Sequence, residues 1–275
     1  LLPALYERAG FTAPGLRDDQ RRFRADAPAV LALQRAVRSA ARPLVDCGAA
    51  VHSLRAATPG SLQALAQRSD GPLHIHVAEQ QAEVRDCLAH TGCRPIEWLL
   101  RHAAMDSRWQ LVHATHSVPA EVDGVAACGA GVVLCPGTEA NLGDGVPDLP
   151  RWLAGGVPLA IGSDSQVCRS AAEELRWLDY AQRLVHRRRN VAADPARHGG
   201  STAARLFEAC AAGGAASAGF GRWGLRSGAP ADALVLDTEA PGLAGVPASH
   251  RLDAWVFATD APAIAQTWVG GRRVR

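Results

Sequence analysis

The stretch Pro72–Gly92, PLHIHVAEQQAEVRDCLAHTG, changes its period partway along. Residues 72–78 form a short apolar run broken only by two histidines, the pattern of a strand buried on both faces. Beyond Glu79 the apolar residues take helical spacing, and Gly92 stands where a helix would stop. A strand, a polar turn and a helix in that order make half of a βαβ unit. The unit recurs, with further strand candidates in CGAAVHSL (47–54), WQLVHA (109–114), GVVLCP (131–136) and VPLAIGSD (157–164). The intervening segments TPGSLQALAQRS, RPIEWLLRHAA and SVPAEVDGVAACG carry helical spacing. Thr58 and Ser117 are the expected N-caps, and Gly92 and Gly129 the expected C-terminal breakers.

Successive strand–helix units predict an α/β fold with a parallel sheet, either a (β/α) barrel or a doubly wound sheet. The glycine-rich dinucleotide fingerprint is missing. ACAAGGAASAGFG (209–221) follows a helix and not a strand, so it reads as a loop. The first 46 residues read as loop and helix. After Asp164 come two helices, around 170–190 and from Ser201 onward. Past Phe220 the texture changes: ADALVLD (231–237), AWVFA (254–258) and IAQTWVGGRRV (264–274) read as short strands of a small β appendage.

Composition excludes several classes. The 275 residues are 48% hydrophobic and 20% charged with a net charge of +2, so the basic stripe of a nucleic-acid binder is missing. HRRRN (186–190) reads as a solvated helix end. No segment approaches the roughly 20 apolar residues of a membrane span, and no signal peptide opens the chain. Seven cysteines without a C-x-x-C pair suit reduced thiols in a cytoplasmic protein. Every basic residue is arginine, which removes Schiff-base chemistry, a P-loop lysine and a bridging lysine carbamate within these residues. The only methionine is Met105, so a segment upstream of LLPALYERAG is expected.

The strand ends concentrate the chemistry: His52 then Arg55, His76 then Glu79, His113 with His116, Pro136 to Glu139, and Ser163-Asp164-Ser165. A single histidine at a strand end is more often structural than functional. Histidines at three successive strand ends, with an aspartate at a later one, form one constellation on the rim where barrel enzymes gather their catalytic groups. Imidazoles with two carboxylates suit zinc and an activated water.

HIHVAEQ, LVHATH, CPGTEANLGDG and IGSDS, in this order and spacing, resemble the amidohydrolase superfamily. With HSLRA and EELRWLDYAQRL, the chain is similar to the formimidoylglutamate deiminases of histidine breakdown. The resemblance covers nearly the whole chain. It implies a zinc-dependent (β/α)8 TIM-type barrel with a small β domain, and a metal held by an H-x-H pair on strand 1, a His on strand 5 and an Asp on strand 8. Counting back from Asp164 places HIH on strand 5, so strands 4 to 8 are expected here and strands 1–3, with the H-x-H pair, are not. The expected division is a partial barrel over 1–222 and an incomplete β-rich domain over 223–275. As given, the chain is expected to bind metal poorly and to lack activity.

By the same resemblance one divalent ion, zinc, is held by His76 and Asp164. Glu79, His113 and Asp164 are catalytic: Asp164 takes the proton of the attacking water, Glu79 relays it, and His113 orients the water. The substrate, N-formimidoyl-L-glutamate, is a small dicarboxylate, for which Arg55 offers a bidentate clamp beside His52. His74, two residues deeper, is assigned a core or supporting role, while Glu139 and Asn141 either line the pocket or belong to a polar loop. Gln166 stands where similar proteins have His, which bears on the tuning of Asp164. The alternatives are another mononuclear aminohydrolase of guanine-deaminase type, or an inactive fragment serving as an assembly partner. A small-molecule substrate is expected, with no nucleic-acid or membrane partner and a homodimer left open.

Overall fold

Six short strands lie side by side in chain order: β1 (Ala4–Leu5), β2 (Ala49–Val51), β3 (Leu73–Val77), β4 (Trp109–His113), β5 (Gly131–Leu134) and β6 (Leu159–Ile161). The structure is a computed structural model that describes residues 1–13, 15–42, 44–260 and 263–275. Every neighbouring pair in this sheet is parallel. The order never reverses, so there is no switch point of the doubly wound kind, and the sheet is the wall of a barrel.

Helices cover the outside. α1 (Ala27–Ser39) follows β1, and α2 (Pro59–Arg68) follows β2. α3 (Gln81–Thr91) and α4 (Pro95–His102) follow β3, α5 (Pro119–Cys128) follows β4, and α6 (Pro136–Leu142) and α7 (Leu149–Ala154) follow β5. After β6 come the long helices α8 (Ala171–His186) and α9 (Thr202–Ser217). Local chemistry sets several ends as expected. Thr58 caps α2 by accepting the Ser61 N–H, and Gly92 and Gly129 end α3 and α5 in left-handed conformation. For α5 the cap position is Val118, one residue beyond Ser117, with Glu121 reaching back to the Val118 N–H at 2.9 Å.

Three expectations change. The sheet has one strand more than expected, because β1 lies inside the first 46 residues and pairs with β2 through Ala4–Ala50 and Leu5–Val51. On the barrel count used above, β1 stands at strand 3. AWVFA is helical, forming most of α10 (Arg251–Phe257), and Trp255 and Val256 enter the main core instead of a separate β unit. Beside it, β7 (Ala233–Leu236), β8 (Ile264–Val269) and β9 (Arg272–Arg273) do make their own antiparallel sheet. Most of ACAAGGAASAGFG is no loop: α9 continues through Gly213 and Gly214 to Ser217, and only 218–221 leave the helix.

Packing explains Gly213. α9 lies directly on β6, and a Cβ at Gly213 would overlap the Leu159 backbone. The weak helix former is retained because only a bare Cα lets the helix approach so closely. HRRRN trails exposed from the end of α8, as a solvated helix end does. All seven cysteines are free thiols. Substituting Gly213→Val should push α9 off the sheet and cost about 1–3 kcal/mol, read as a lower urea midpoint for the whole protein.

Candidate active site

The parallel register brings the strand ends to one rim. Ile75 sits beside Val51, and His76 and Val77 sit beside Val112 and His113. In β3 the alternation sends Leu73, Ile75 and Val77 into the packed layer and turns His74 and His76 the other way, toward the barrel interior. His74 bonds the Ser217 carbonyl through Nε2 at 2.9 Å, tying β3 to the end of α9 and away from the rim. Its role is support, as assigned.

His76 is oriented by its neighbour strand. Its Nδ1 donates to the carbonyl oxygen of His52 at 2.8 Å. A carbonyl only accepts, so Nδ1 carries the proton and Nε2 keeps its lone pair for a ligand. The His76 ring stacks on His113 with centroids 5.6 Å apart and meets His52 edge-on at 5.3 Å. Burial first, then the neighbouring His76 imidazole and the Arg55 guanidinium, depress the His52 imidazole to about 4.

His113 ends β4 in a left-handed conformation (φ 71°) and is 1% exposed. Its Nδ1 lies 3.3 Å from Glu139 Oε1, which also accepts the Cys135 N–H at 2.8 Å. Its Nε2 faces Glu79 Oε1 at 3.8 Å and Asp164 Oδ2 at 3.9 Å. Burial pushes this imidazole down, but the Glu139 hydrogen bond and the carboxylates of Glu79, Glu139 and Asp164 outweigh it and leave it raised. Asp164 occupies a tight turn after β6 at φ 39°, followed by Gln166 at φ 63°. The turn is held by the Gln166 N–H on the Ser163 carbonyl and by Thr138 against Ser165.

One donor atom each from His76, His113 and Asp164 lies within 4.8 Å of the others, and the set of two imidazoles and a carboxylate fits a divalent ion such as zinc. A second group, His113, Cys135 and Glu139, meets the same distance. There the Glu139 oxygen is already taken by two N–H donors, and burial holds the Cys135 thiol far above its ordinary value. That group is a packed support.

Four of the six expected site residues, His76, Glu79, His113 and Asp164, therefore converge, and His52 touches the cluster through His76. Arg55 follows in the short turn Leu54–Ala56, partly exposed, with no ion pair among the described residues. Glu139 lies beneath His113 instead of lining a pocket, and Asn141 is exposed on α6. Two residues went unread. Tyr6, just past β1, packs on His52 at 4.5 Å, but the two-residue strand before it has no periodicity to detect. Glu83 binds the backbone of Ala78 and Glu79; its only signal was a glutamate four residues beyond another.

A parallel barrel with histidines and an aspartate gathered on one rim has the architecture of an amidohydrolase. The profile of the Amidohydrolase family matches residues 9–274, and the chain belongs to that family. It is 45% identical over 281 residues to the formimidoylglutamate deiminase of Pseudomonas aeruginosa, an alignment spanning 100% of this chain and 61% of the relative. Among solved structures it resembles an amidohydrolase from Brucella melitensis, with TM-score 0.93, 42% identity, and coverage of 99% of this chain and 60% of that one. An adenosine deaminase from Xanthomonas campestris with bound zinc shares the fold, with TM-score 0.79, 24% identity, and coverage of 98% of this chain and 59% of that one. The chain thus spans about three fifths of the length of these relatives. Among the described residues no helix is long and apolar enough to cross a membrane.

Replacing Glu139→Ala strands the His113 Nδ1–H and the Cys135 N–H in a buried site. The expected loss is about 1–3 kcal/mol of stability, measured by denaturant unfolding of the whole protein.

Proposed function

We propose that the whole protein hydrolyses N-formimidoyl-L-glutamate to N-formyl-L-glutamate and ammonia, as a cytoplasmic enzyme of histidine breakdown with one zinc ion. The observation that carries this reading is the convergence of His76, Glu79, His113 and Asp164 from three strand ends, with Arg55, which has no ion pair among the described residues, one turn beyond His52. The 45% identity to the Pseudomonas aeruginosa deiminase supports the same substrate. Zinc is favoured by the imidazole–carboxylate donor set and by the bound zinc in the Xanthomonas campestris relative. We also propose that the sheet β7–β9 is part of the small β domain of the family.

His76 Nε2 and Asp164 are the donors among these residues that would hold the ion. When bound, the ion supplies Lewis-acid activation that lowers the pKa of water to about 7. Asp164 accepts the proton of the attacking water. The water oxygen bonds to the central carbon of the N–CH=NH group, which becomes tetrahedral. Glu79 carries that first proton to the terminal nitrogen, which takes up the C=N π pair and becomes an amine; it then takes the hydroxyl proton and passes it to the same nitrogen, so that the C–N bond breaks, its electron pair leaves with the nitrogen as ammonia, and the O–H pair closes the C=O of the formyl group. His113, lodged between Glu79 and Asp164, holds the water oxygen in line. Arg55 grips a substrate carboxylate bidentately, and the neutral His52 with Tyr6 shapes the wall beside it.

Ammonia release from N-formimidoyl-L-glutamate by the metal-loaded whole protein tests the assignment. Hydrolysis of a purine C–NH2 with no turnover of the formimidoyl substrate would overturn it. Arg55→Ala should raise KM about 10- to 100-fold, the worth of a charge-assisted pair, with a smaller change in kcat. An unchanged KM removes the clamp.

A further inference from the structure

Glu83 is 5% exposed on the first turn of α3, and a buried carboxylate needs partners. Its two oxygens divide between two backbone groups: Oε1 accepts the Ala78 N–H at 3.1 Å, and Oε2 accepts the Glu79 N–H at 3.0 Å. A glutamate at the third helical position ordinarily reaches back to the N–H of the capping residue. Here it passes the cap residue, Gln80, and clasps the two residues before it. One of these, Ala78, is left-handed at φ 51°, a conformation disfavoured for any residue that carries a Cβ. The Ala78 carbonyl is held from the other side by the His116 N–H at 3.0 Å. The turn from which Glu79 projects is therefore strained and gripped at both of its polar faces.

We propose that Glu83 is a positioning residue for the reaction: by clasping the 78–79 backbone it fixes the left-handed turn that aims the Glu79 carboxylate at His113 Nε2. This rests on the reading of Glu79 as the proton carrier. The bidentate clasp does what a helix cap alone does not, since it sets the direction of the side chain that follows the strand. Burial raises the Glu83 carboxyl above its ordinary value, opposed by the N–H groups of Glu79 and Ala78 and by the Arg55 charge. The same carboxylate thus feels both the carboxylate clamp and the proton carrier.

Glu83→Gln is the direct test, because the amide keeps one acceptor and sets an N–H against the other backbone N–H. In the metal-loaded whole protein, kcat for N-formimidoyl-L-glutamate should fall about tenfold or more while KM stays within about twofold. In a Glu79→Gln background the same change should cost less than about twofold of the residual rate, because its effect passes through Glu79. Independently of turnover, hydrogen exchange at the Glu79 amide should quicken about tenfold or more. Equal losses in both backgrounds, an unchanged kcat, or unaltered exchange would overturn the proposal. Should Glu83→Gln fail to fold, Glu83→Asp, which keeps the charge but reaches only one N–H, carries the same comparison. If the unmodified protein does not turn over the formimidoyl substrate, the assignment of function fails, and amide exchange alone decides on the clasp.

Discussion

The hydrogen bond from His76 Nδ1 to the His52 carbonyl, 2.8 Å long, joins the ends of two neighbouring strands at the point where the chemistry is assembled. It needs both residues at one height on the rim, which parallel pairing of β2 with β3 provides. It also settles the tautomer of His76, so that the free nitrogen turns toward His113 and Asp164. Without it the imidazole would be one more polar ring in a barrel interior. With it, three strands contribute to one set of donors.

Buried carboxylates hold the remaining ends in the same way. Glu139 takes the far nitrogen of His113, and Glu83 takes the two amides before the first turn of α3. Ala78, His113, Ala114, Asp164 and Gln166 all adopt positive φ without being glycine. Such conformations cost free energy and persist only where the surroundings over-determine them. Here the surroundings are these hydrogen bonds and the packed strands below. Strain collects along the rim, while the strands beneath remain regular.

Much of this was legible before any coordinates. Strands buried on both faces read as unbroken apolar runs, so β2 through β6 were found, and with them His52, His76, His113 and Asp164 at their ends. What escaped lacked a local signal. β1 has two residues, of which Leu5 is buried and Ala4 exposed, and its identity comes entirely from pairing with β2. AWVFA has β-forming composition but is too short for period to decide, and burial of Trp255 and Val256 against the barrel helices makes it helical. The glycines of α9 argue for a loop by propensity, whereas close contact with β6 is the reason for Gly213. Glu83 gave no signal beyond its place in a helical stretch, and Glu139 was open between a pocket wall and a polar loop, since their importance lies in which backbone and ring nitrogens they meet across the fold.

The whole account depends on His76, Asp164 and their neighbours sharing one ion next to Glu79. An anomalous difference map at the zinc edge, from crystals of the zinc-loaded whole protein, examines this most directly. The account predicts one peak at the rim, about 2.0–2.2 Å from His76 Nε2 and from an Asp164 oxygen, with the Glu79 carboxylate facing the same space. A peak lodged elsewhere, with His76 and Asp164 left uncoordinated, would contradict it.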